Sequence, residues 1–157
     1  MFRDWIASAG LDQKTPISGL DDREVNLVEG AQGVRLPSTY KTFLRECGRS
    51  AGLLCYDANF FYPDIEVLKQ NLGDLIEEEG VDFQLPDKAF VFSAYQGAQF
   101  QYFICDGNDD PPVYRVFDDG SVEAVSDSFS EYMRKTVEEY RSVFNGEYAQ
   151  EILTQLG

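Results

Sequence analysis

Apolar positions along this chain change period several times, and each change marks an element. Residues 21–31 read as a helix: Asp21 and Glu24 have capping-box spacing, and Val25, Leu27 and Val28 supply an apolar face. The run from Leu36 to Leu44 carries Pro37 where a helix takes its proline, near the first turn, and Leu36 can staple onto the turn that follows. Tyr40, Phe43, Leu44 and Cys47 then recur at helical spacing, and Gly48 is the natural stop. Residues 51–62 predict strand and loop. Residues 64–79 predict a helix with Ile65, Leu68, Leu72, Leu75 and Ile76 inward, stopped by Gly80.

The period then shortens. Strands are expected over residues 89–95, 99–106 and 113–118, with a shorter one at 122–125 joined by the hairpin turn Asp118-Asp119-Gly120-Ser121. Ser128 and Glu131 form a second capping box, opening a helix whose stripe is Phe129, Tyr132, Met133, Val137, Tyr140 and Phe144. A short helix over residues 148–156 closes the chain. Consecutive strands with helices before and after predict an α+β fold, an antiparallel β-sheet flanked by N-terminal and C-terminal helices. No repeat or linker interrupts the pattern, so residues 1–157 read as one domain of ordinary size.

Charge changes the picture most. The chain has 13 basic and 28 acidic residues, a net of −15. The excess lies in two windows: residues 57–87 hold nine acids and one base, and residues 106–139 hold ten acids and three bases. Such a field disfavours nucleic acid and anionic membrane as partners and draws in a basic protein. The densest groups, Glu77, Glu78, Glu79 and Asp82, then Asp106, Asp109 and Asp110, then Asp118 and Asp119, sit at a helix end and in turns. Exposure, and availability to a partner, is the expectation for all of them.

Candidate chemistry is thin. The chain has no histidine, the side chain best suited to proton transfer near neutral pH and the commonest metal ligand. Cys47, Cys55 and Cys105 lack CxxC spacing and read as free, buried thiols of a reducing compartment, without metal. Paired carboxylates are explained by a solvated acidic surface. Asp106-Gly107-Asn108-Asp109-Asp110 opens like an EF-hand loop, but Pro111 takes the glycine position and Phe117 the bidentate glutamate position. No phosphate-binding glycine loop occurs. No catalytic residue and no cofactor is therefore expected. No apolar run approaches the roughly 20 residues that cross a bilayer, and the Asp4-bearing start is unlike a signal peptide, so a cytoplasmic location is expected.

Four segments in fixed order resemble the SUKH superfamily, in its Smi/Knr-like branch. They are the helix at 25–29 leading into Leu36-Pro37-x-x-Tyr40-Lys41-x-Phe43-Leu44; the strands around Phe90–Phe92 and 100–106, separated by Gly97; Asp110-Pro111-Pro112-Val113-Tyr114; and Ser128-Phe129-Ser130-Glu131-Tyr132-Met133. Cys47 stands where the family often has Asn, and Tyr132 where Trp is common. The resemblance implies an α+β fold and a non-catalytic, protein-binding role. Bacterial members commonly serve as immunity proteins that neutralise polymorphic toxins, and an acidic one suits a basic nuclease-type toxin domain. The fungal branch implies the alternative, a regulatory or scaffold protein. Partner identity and oligomeric state stay open.

Overall fold

A computed structural model describes residues 1–146 and 149–156. Helix α1 (Phe2–Ser8) precedes β1 (Ile17–Ser18), α2 (Asp22–Ala31), α3 (Ser38–Cys47) and β2 (Ser50–Ala51). A 3-10 turn (Asp64–Val67) runs into α4 (Leu68–Glu79). Then come β3 (Ala89–Tyr95), β4 (Gln99–Ile104), β5 (Val113–Phe117), β6 (Val122–Ser126), α5 (Phe129–Phe144) and α6 (Ala149–Gln155). The four long strands form an antiparallel meander in the order β3-β4-β5-β6, and β1 and β2 make a separate antiparallel pair. The fold is α+β, with helices flanking an antiparallel sheet.

Local chemistry explains the boundaries. Asp21 accepts from the Glu24 N–H and Glu24 accepts from the Asp21 N–H, a complete capping box. Ser128 accepts from the Glu131 N–H at 3.1 Å. The Glu131 carboxylate reaches back one residue further than a capping box requires, to the Asp127 N–H. Gly80 closes α4 in the left-handed region at φ +61°, where a side chain would be strained.

Aromatic rings fill the space between the sheet, α3 and α5. Phe129 is their hub: the rings of Phe2, Tyr40, Phe43, Phe92 and Phe103 lie 5.3 to 6.0 Å from it. All six are fully buried. The opposite sheet face stacks Tyr102 on Tyr114 and is covered by Phe83 of the segment after α4. The outer edge of β3 is closed by side chain and loop. The buried Gln32 donates to the carbonyls of Val91 and Ile65 and accepts from the Val91 N–H, while Asn59 exchanges two backbone bonds with Ala94.

Several sequence expectations need correction. Helix α1 was not anticipated, although Phe2 and Ile6 recur at helical spacing and are fully buried. Leu27 faces outward, 45% exposed, because α2 meets α3 through Val25 and Val28. Residues 64–67 wind as 3-10 before α4 begins. Of residues 51–62 only Ala51 belongs to a strand. Strands β4 and β5 end before the turn acids begin, and β6 extends to Ser126. Cys105 is half-buried rather than buried. For the closing helix, Tyr148 lies outside the described residues.

Candidate protein-binding site

The sheet gathers some of the candidate acids and separates others. Glu77, Glu78 and Glu79 are exposed on the last turn of α4, with Asp82 exposed just beyond. Gly120, in the β5–β6 turn at φ +87°, packs so closely on Val81 that a Cβ there would collide with its side chain. Exposed Asp118 and Asp119 are thereby brought beside Asp82. Six of the nine acids thus form one rim. Hydrogen bonds from the Ser121 hydroxyl and N–H hold the Asp119 carboxyl below its ordinary value.

The third group sits at the other end of the sheet, in the β4–β5 connection. Asp106 accepts from the Asn108 N–H, and the exposed Asp109 lends its carbonyl to the Thr39 N–H at the start of α3. Arg35 and Lys88 line the same groove as Asp106 and Asp109 and offset their charge. Asp110 is not the exposed contact residue expected. It is half-buried, and its two oxygens accept from the Ser130 N–H and hydroxyl at 2.9 and 2.5 Å. Its carboxylate is committed to the N-terminus of α5, where the helix dipole favours it.

A further feature was missed by sequence reasoning. Ser93, Gln101, Arg115 and Glu123 are register partners across β3, β4, β5 and β6, forming one polar row on the face that meets α5. A bulge at Phe92, between Val91 and Ser93, makes this alignment possible. Without the extra residue, Ser93 would point away from Phe90's side of the sheet. Between the row and α5 lies a crevice of about 210 Å³, bordered also by Cys55, Tyr132 and Thr136. Ser93 and Gln101 are 4% exposed, and the Arg115 Nε has no hydrogen-bond partner among the described residues.

Adjoining the crevice, and sharing Tyr95, Glu139 and Tyr140 with it, is a notch lined also by Tyr56, Asp57 and Val143. Tyr56 is 40% exposed, and the Tyr140 hydroxyl donates to Asp57. Burial, with Cys55 and Asp57 nearby, pushes the Tyr140 hydroxyl well above its ordinary value. Burial likewise pushes the Cys55 thiol well above its ordinary value, and raises Cys105 to about 11. The site therefore offers hydrogen bonding, ring faces and fixed carboxylates rather than an activated nucleophile. Among the described residues no group of three or more Cys, Asp or Glu is placed to hold a metal ion. No described helix is long and apolar enough to cross a membrane.

The polar row was legible only in part. Gln99 and Gln101 alternate with Phe100 and Tyr102, which marks one polar strand face. Such a face reads as solvent-exposed until α5 is seen to cover it.

Comparison with known proteins places the chain by family. The family model described as SMI1 / KNR4 family (SUKH-1) matches residues 19–135, from the residue before Leu20 to the second turn of α5. No curated protein matches the chain.

Proposed function

The chain belongs to the SMI1 / KNR4 family (SUKH-1), and from that premise we propose that it is an immunity protein that binds and neutralises a basic toxin domain in the cytoplasm. The family includes immunity proteins, and its domains act in protein interaction. The observation that carries the finer reading is the merged acidic rim, in which Glu77, Glu78, Glu79 and Asp82 join Asp118 and Asp119 at one end of the sheet. A nuclease-type toxin presents a positive cleft shaped for phosphates. A fixed array of carboxylates competes for that cleft, steers encounter and blocks it without chemistry. Inhibition by occupancy requires neither a cofactor nor an activated side chain.

Co-expression tests the reading. Where a basic toxin domain is encoded next to this chain's gene, its production in a bacterial host should arrest growth, and this chain should restore growth through an isolable complex. Reversing Glu77, Glu78 and Glu79 to Lys should slow association about tenfold at low salt, with the deficit shrinking as ionic strength approaches physiological. Reversing the exposed Asp12 should do little. Glu46 would be a poor control, since it accepts from the Met1 amine and the Arg3 N–H. Growth arrest unrelieved by this chain, with no complex, overturns the proposal.

A further inference from the structure

We propose that the notch formed by Tyr56, Tyr95 and Tyr140 with Asp57 and Glu139 is a socket for one arginine or lysine side chain of the protein partner. The inference rests on the reading that the partner is basic, and it names where a central contact is made.

Three observations converge on that occupant. First, the walls are aromatic and partly open: Tyr56 packs edge-on against Tyr140 with ring centroids 6.1 Å apart, and Tyr95 stands opposite on the sheet. An aromatic corner of this kind attracts a cation to its ring faces. Second, the charges left over are negative. Of the cations bordering the adjoining crevice, Arg115 pairs with Glu123 at 2.7 Å and Lys135 with Glu131 at 3.1 Å. Asp57 and Glu139 have no cationic partner among the described residues, and Asp57 receives only the Tyr140 hydroxyl. Third, the notch lies at the acidic end of the sheet. The Asp118 N–H bonds the Ala98 carbonyl, which ties the β5–β6 turn to the β3–β4 turn that follows Tyr95.

The chemistry is selective. An alkyl stem would lie against Val143 and the rings while its charged head sits between two carboxylates, as long cationic side chains do where a surface is apolar beside and charged above. A guanidinium stacks on tyrosine and takes a carboxylate with two parallel N–H donors, so arginine is the better fit. An acidic side chain would meet Asp57 and Glu139 and be repelled.

The test titrates the full-length, isotope-labelled chain by NMR with N-acetyl-arginine methylamide, and in parallel with the citrulline analogue, which matches its shape without the charge. The arginine probe should shift the amides of Tyr56, Asp57, Tyr95, Glu139 and Tyr140, saturating with a Kd of roughly 1–10 mM. The citrulline probe should not. Tyr56→Ala and Glu139→Gln, both at exposed positions, should each weaken binding at least about threefold while leaving the spectrum of the fold unchanged. The Glu77, Glu78, Glu79→Lys variant should leave the notch shifts in place. Equal shifts with citrulline, no shifts, or shifts confined to residues 77–82 and 118–119 would each overturn the socket. The two proposals fail separately. Strong toxin binding that ignores Tyr56→Ala and Glu139→Gln removes the socket and leaves the immunity reading, whereas probe binding without toxin rescue does the reverse.

Discussion

Helix α5 crosses one face of the sheet, and the two halves of that contact are built from different material. Toward its N-terminal end, Phe129 meets Phe92 and Phe103 in a sealed ring cluster. Further along the helix, Thr136 and Tyr140 look across a crevice at Ser93, Gln101 and Arg115, with Tyr132 at the boundary between the two halves. The same helix and the same strands supply both halves, and the bulge at Phe92 is where one gives way to the other. Close-packed rings leave no room for a partner to enter. Polar groups that lack full internal pairing keep a gap open to water, and such a gap can accept a side chain from outside. Stability is concentrated in the first half, and the proposed recognition falls in the second.

The largest effect should come from breaking the sealed half. Phe129→Ala removes the hub of the ring cluster, and Phe43→Ala removes a ring touching Phe2, Phe60 and Phe129. Each should cost about 3–5 kcal/mol, because the rigid neighbours cannot close the cavity. Denaturant melts read the loss directly. A loss below about 1 kcal/mol at either site would mean that the cluster is not the stabilising half.

A smaller effect of opposite sign is expected inside the same half. Tyr40 is fully buried, and its hydroxyl has no hydrogen-bond partner among the described residues. Burial pushes that hydroxyl well above its ordinary value, consistent with an apolar surround. Tyr40→Phe keeps the ring contacts and removes an orphaned polar group, so stability should rise by roughly 1 kcal/mol. A drop of that size would show that the hydroxyl is bonded to an internal water.

The two halves also differ in how much of each the sequence reveals. The sealed half was legible, since Tyr40, Phe43 and Phe129 stand at helical spacing behind clear start signals. Phe90, Phe92 and Phe103 fall in runs with strand character. The crevice was not, because its members come from four strands, a loop and a helix, and only register brings them together. A one-residue bulge decides which way Ser93 points, and hydrophobic pattern does not announce it. The acids tell the same story. Their exposure was mostly legible, but the fusion of Glu77–Glu79 with Asp118 and Asp119 depends on a glycine turn meeting the segment after α4. Asp110 misled because a capping carboxylate and a solvated one look alike until Ser130 is seen above it.

The finest contrast separates burial from packing. Gln101 is 4% exposed, nearly as buried as Phe129, so burial alone would assign it a large share of stability. Its side chain borders the crevice, however, and truncating it enlarges a space that is already there. Water can then occupy the site against Arg115 and Ser93, which spares the surrounding polar groups an unpaired state. Gln101→Ala should therefore cost less than about 1 kcal/mol in the same denaturant melts that report several for Phe129→Ala. A cost above about 2 kcal/mol would mean that the amide is locked into the sheet and the crevice is a closed part of the core. With a small cost, the polar row is free to serve whatever enters past Tyr95 and Tyr140, and substitutions along it change recognition without changing the fold.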